Sequence, residues 1–154
     1  MWFLILFLLL IIVLLCRMLF NEKKRKEDYR KFAYKHLQMV EIFDEWVELK
    51  QLGVCMADWL IKHGYKVIAI YGMGYLGKRL MEELHDSPIQ VKYGVDRAAA
   101  TMTIDMDVFT LEDDLLPVDA VVVTVTGNHK EIQKAIQMKM GCPVILLKEI
   151  IEHA

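Results

Sequence analysis

From Met1 to Cys16 the chain reads MWFLILFLLLIIVLLC, without one charged side chain. With Arg17 snorkelling to the interface, the apolar run extends through Met18, Leu19 and Phe20. Twenty helical residues reach roughly 30 Å, about one hydrocarbon core. A cleaved secretory signal would carry Lys or Arg ahead of this run and small residues behind it, and neither is present. The pattern therefore predicts an uncleaved transmembrane helix over 1–20. Glu22 to Leu52 then holds no Pro or Gly and sets Tyr29, Phe32, Met39, Val40, Phe43, Trp46 and Val47 on one helical stripe. One long helix, or two, is the expected result. Within it Phe32, His36, Met39, Phe43 and Trp46 alternate steps of four and three, a short seam that would dock on the body of the same chain or pair with a second copy. Gly53 stops this linker, and MADWLIKHG reads as a further short helix.

From Lys66 the period changes. Short apolar runs alternate with amphipathic stretches, as in β-α-β units around a parallel sheet. Strands are expected at Val67 to Tyr71, Ile89 to Val95, near Met106 to Phe109, within VDAVVVTV and within PVILL, with helices over Tyr75 to Leu84 and HKEIQKAIQMKM. The chain thus divides into an anchor over 1–20, a basic juxtamembrane segment and helical linker over 21–53, and an α/β domain of about five strands over 54–154.

Charge adds an orientation. Asn21 to Lys35 holds seven Lys or Arg against three Asp or Glu, while nothing before Arg17 is charged. The positive-inside rule then predicts a single-pass protein with its N-terminus outside and its body cytoplasmic. The same basic cluster is suited to anionic lipid headgroups or simply to solvent. Val54 to Ala154 carries ten basic and fourteen acidic residues, which gives nucleic acid no electrostatic footprint. Cys16, Cys55 and Cys142 form no C-x-x-C pair, and the histidines lack metal-ligand spacing, so no metal site is expected.

The candidate chemistry sits where the first strand meets its helix, in Gly72-x-Gly74-x-x-Gly77. Gly72 permits a tight exit from the strand, Gly74 lets backbone approach a diphosphate, and Gly77 lets helix pack on strand. Tyr75, Leu76 and Gly77 would offer free N–H groups at the positive end of the helix. Asp96 follows Gly77 by nineteen residues at the end of the second strand, where a carboxylate can accept both hydroxyls of an adenosine ribose. Arg97 beside it suits a 2′-phosphate, yet Asp96 would repel one, so NAD is favoured over NADP. Lys78 and Arg79 lie early in the helix, within reach of phosphate oxygens or of solvent. At the carboxyl end of the fourth strand, Thr126, Gly127 and Asn128 would face the same crevice if strand order reverses there. Asn128 is equally suited to capping the next helix. His129 is the one candidate for acid–base work near the crevice.

IAIYGMGYLGKRLMEEL, VKYGVDRAA, TLEDDL and VDAVVVTV together resemble the small Rossmann-like domains encoded among bacterial surface-polysaccharide and nucleotide-sugar genes. More distantly they are similar to the nucleotide-sugar-binding front half of bacterial sugar acyltransferases and to NAD-binding regulatory domains of potassium-uptake systems. The resemblance covers about Lys66 to Leu147. It implies a Rossmann-like three-layer sheet and a nucleotide-type ligand, NAD(H), NADP or a nucleotide-sugar, on Gly72, Gly74, Gly77 and Asp96. It also implies a membrane-associated polysaccharide-synthesis protein as partner. It implies no reaction: the hexapeptide-repeat half of the acyltransferases and the substrate domain of dehydrogenases have no match in this sequence. An oxidoreductase or epimerase-like enzyme acting on a nucleotide-sugar would need a proton-transfer group such as Tyr-x-x-x-Lys after the fourth strand, and none is there. A ligand-free interaction or regulatory domain is the remaining alternative.

Overall fold

A computed structural model describes residues 1–127 and 129–154. Helix α1 (Trp2–Gln51) is continuous, the single-helix outcome of the two expected, with no Pro or Gly to interrupt it. Its contacts place Met1–Gln38 in one compact unit and Met39–Ala154 in another. In the first unit every side chain from Met1 to Phe20 is exposed, and this helix is long and apolar enough to cross a membrane.

In the second unit the last turns of α1 bury Ile42 and Trp46, with Met39, Phe43 and Leu49 packed against the same core. The docking face therefore centres on Ile42 and Trp46. Val40 and Val47, expected on the same stripe, are 58% and 52% exposed. The helix ends in a Schellman turn: Gly53 takes φ +77°, and the Val54 N–H donates to Leu49 O at 2.9 Å. Helix α2 (Met56–Lys62) follows.

Five strands form one all-parallel sheet: β1 (Val67–Tyr71), β2 (Gln90–Val95), β3 (Val108–Phe109), β4 (Ala120–Val123) and β5 (Val144–Leu146). Their order is β3-β2-β1-β4-β5, so the chain starts in the middle, builds outward to one edge, and returns to build the other. Helix α3 (Tyr75–Leu84) links β1 to β2, and α4 (His129–Met140) links β4 to β5; α5 (Leu147–His153) closes the chain.

The sheet is buried on both faces, which is why β1 and β4 read as unbroken apolar runs. Ile68 and Ile70 of β1 join Ala120 and Val122 of β4 on one face, against α1, α2, α3 and α5. Ala69, Tyr71, Val121 and Val123 join Tyr93, Val95 and Ile136 of α4 on the other. Leu80 and Ile150 are wholly inaccessible; burying side chains of this size stabilises by about 1.5–3 kcal/mol each. Between Val91 and Tyr93, Lys92 is an extra residue opposite β1, a bulge that shifts which β2 side chains meet which face. Beyond the bulge Tyr93 and Val95 point to the α4 face, and Gly94 is left on the α3 face, next to the turn that follows β1.

Candidate functional site

The turn after β1 is built by three glycines with three different surroundings. Gly72 takes φ +96°, and its N–H donates to Val95 O at 2.8 Å, pulling the chain across toward the end of β2. A Cβ there would stand 2.5 Å from Val125 Cγ1, so the position excludes side chains twice over. At Gly77 a Cβ would stand 2.2 Å from Gly72 O, meaning that helix backbone lies directly on turn backbone. Gly74 differs from both, since a Cβ there would meet nothing within 4 Å among the described residues. Two glycines serve packing, and the third faces open space.

Helix α3 begins at that open glycine. Gly74 is its N-cap and no side chain caps the helix; the first turn closes with Lys78 N–H donating to Gly74 O at 3.0 Å. The N–H groups of Tyr75, Leu76 and Gly77 thus precede the helical ladder, at the positive end of the helix dipole. Leu76 is buried beneath them, while Tyr75 stands 74% exposed beside Gly74. Lys78 and Arg79 are exposed, Arg79 pairing with Glu82 at 2.7 Å.

Asp96 stands beside this turn. Its Oδ2 accepts the N–H of Met73 at 2.8 Å and its Oδ1 the N–H of Ala98 at 2.9 Å. The carboxylate thus ties the end of β2 to the glycine turn, with about half of its four lone-pair sites already engaged. It is half-buried, and Arg97 next to it is exposed. Met73, the residue between the first two glycines, is wholly buried. A Cβ on Gly94 would stand 2.6 Å from Met73 Cγ, so the glycine inside β2 is the recess that Met73 fills.

The end of β4 closes the other side. Thr124 is buried, and its Oγ1 donates toward Gly72 O at 2.5 Å, with Tyr71 O 3.2 Å away. The glycine turn is thereby held between Asp96 and Thr124, at the place where strand order reverses between β1 and β4. Thr126 and Gly127 continue half-buried, Gly127 at φ +79°. Asn128 lies outside the described residues. At His129 burial pushes the imidazole below its ordinary 6.5, against the opposing pull of Glu149. Its Nδ1 has no hydrogen-bond partner among the described residues.

Chemically, free backbone amides at the start of α3 are able to hold an anion, with the Asp96 carboxylate close by. Among the described residues no group of three His, Cys, Asp or Glu is disposed to hold a metal ion. Gly72, Gly74, Tyr75, Leu76, Gly77 and Asp96 come together at one end of the sheet, and Arg97 and Thr126 flank them. Met73, which the sequence does not single out, and Thr124, which opens the TVTGNH stretch after the fourth strand, fix the turn's shape. The signals available were a glycine inside β2 and a hydroxyl directly after the three valines of β4. Comparison of the chain with family models, curated proteins and solved structures finds no match.

Proposed function

We propose that this chain is a membrane-anchored Rossmann-like module that binds a diphosphate-containing nucleotide, NAD(H) or a nucleotide-sugar, at the glycine turn, with its body in the cytoplasm. The observation that carries the reading is the contrast among the glycines. Gly72 and Gly77 are required by packing, whereas Gly74 borders open space at an uncapped helix start. Packing gives no reason for a glycine there, and close approach of an anion does. Reversal of strand order beside the turn supports the same reading, since ligands of open parallel sheets sit outside the carboxyl ends of strands at such a point. The remaining lone pairs of Asp96 suit a ribose diol. The nucleotide-sugar version, and with it a polysaccharide-synthesis partner in the membrane, rests on the resemblance in sequence.

One observation favours a different reading, a domain that presents its surface to a partner and holds no nucleotide. Both Asp96 oxygens already accept backbone N–H groups, which gives the carboxylate a purely structural role.

The two readings separate in a titration of the full chain, in detergent or nanodiscs, with NAD, NADP, UDP-sugars, S-adenosylmethionine and coenzyme A. A ligand at a hundred times its Kd raises stability by about 2.7 kcal/mol, and the unfolding midpoint with it. Gly74→Asp places a negative charge at the open position, where the added Cβ meets nothing within 4 Å among the described residues. It is expected to abolish the ligand-induced shift and leave the ligand-free midpoint nearly unchanged. A shift that survives in Gly74→Asp would contradict the amide cradle, and no shift with any nucleotide would favour the partner-binding domain.

A further inference from the structure

We propose that Lys23, Lys24, Arg25 and Lys26 form a collar that binds the headgroups of anionic lipids, an inference that rests on reading Met1 to Phe20 as membrane-spanning. All four are exposed and lie within the continuous helix α1. Successive helical residues are turned by about 100°, so four in a row point to four sides of the rod. That distribution fits a surface that surrounds the helix. A folded protein or a nucleic acid docks against one side, whereas a lipid leaflet encloses the whole circumference.

Height along the helix leads to the same partner. A rise of about 1.5 Å per residue sets the collar roughly 5–9 Å beyond Phe20, at the depth of the headgroups and within about one Debye length of their charge. Helical continuity matters here, because a flexible juncture would let the charges drift into solvent. The next acid in sequence, Glu27, is paired with Lys31 at 3.4 Å, one turn farther on. Basic residues near an anionic leaflet each add about a severalfold preference, which accumulates over four positions.

The test uses the full chain in neutral detergent, supplied with equal amounts of phosphatidylglycerol and phosphatidylcholine of the same acyl chains, with bound lipids counted by native mass spectrometry. The anionic lipid is expected to be retained at least about fivefold over the zwitterionic one, and the preference to shrink as salt is raised. Replacing all four residues with Gln should bring the ratio to parity. The triple variant Lys23→Arg, Lys24→Arg, Lys26→Arg should keep the preference, because it keeps the charge. Parity in the unmodified chain, or a preference that survives the Gln variant, would overturn the proposal. A chain that stays soluble without detergent and retains neither lipid would instead overturn the membrane-spanning reading on which it rests.

Discussion

Gly74 and Gly77 are three residues apart in one motif, yet they answer to different physics. At Gly77 a methyl group would be driven to 2.2 Å from the Gly72 carbonyl oxygen, and neither piece of backbone can yield. Gly77→Ala is therefore expected to destabilise the chain by about 1–3 kcal/mol or more, as overpacking does. Gly74→Ala meets nothing within 4 Å and, at φ −75°, no backbone strain, so its unfolding midpoint should stay close to that of the parent. Chemical denaturation of the two variants side by side checks the contrast; equal losses would mean that Gly74 too is held by packing. The motif itself was legible in sequence because spacing alone specifies it. The recess that Gly94 leaves for Met73 was not, since it depends on a bulge at Lys92 that decides which way each β2 side chain points. The part Asp96 plays in holding the turn was hidden as well. Its position predicts a ribose ligand, but only the folded turn brings the Met73 N–H to 2.8 Å.

Among the elements, α3 carries the turn at one end and a buried carboxylate near the other. Glu83, whose side chain is 8% exposed, accepts from Trp46 Nε1 at 2.6 Å and from the Met56 N–H at 2.8 Å, and pairs with Lys50 Nζ at 2.6 Å. The Cys55 thiol adds a weaker contact at 3.4 Å. One residue thus fastens the end of α1 and the start of α2 to α3. Glu83→Gln removes the charge and turns donors of the amide toward donors of its neighbours. A loss of about 2–3 kcal/mol is expected, together with faster amide exchange over Met39–Gln51. Unchanged exchange there would mean that apolar packing of Ile42 and Trp46 holds the segment without the carboxylate. Boundaries of the elements were largely readable. Val67–Tyr71, Tyr75–Leu84 and His129–Met140 follow directly from a change of period flanked by glycine or a cap. β3 shrinks to Val108–Phe109 because it pairs only with Gly94 and Val95 at the sheet's edge. The docking face of α1 was harder to read: Tyr29 through Val47 offers apolar residues around much of the rod, and only contact with the sheet selects Met39, Ile42, Phe43, Trp46 and Leu49.

At the scale of the molecule, a charge-free apolar segment and an α/β body are parts of one chain, and the body's ionisable groups shape its response to acid. The His129 imidazole is held below 6.5 by burial, so the unfolded chain binds that proton more readily than the folded one. Its contribution is intact above about pH 6.5 and is lost as pH falls through the lowered value. Asp113 and Asp119 follow at lower pH. Backbone N–H donors, from Thr110 to the first and from Val67 and Lys66 to the second, hold these carboxyls below 3.8, and their contributions fade only as pH drops from there. The unfolding midpoint is accordingly expected to decline in two stages on acidification, with His129→Gln flattening the first stage alone. An unchanged profile in that variant would show that the imidazole is no more buried than in the unfolded chain. Nucleotide binding by this chain turns on whether backbone amides at the start of α3 hold a diphosphate. Hydrogen exchange resolved to single amides, on the full chain with and without saturating NADH or UDP-sugar, tests this most directly. Ligand should slow exchange at Gly74, Tyr75, Leu76 and Gly77 more than elsewhere in the body, and tight binding that leaves those four amides unprotected would contradict it.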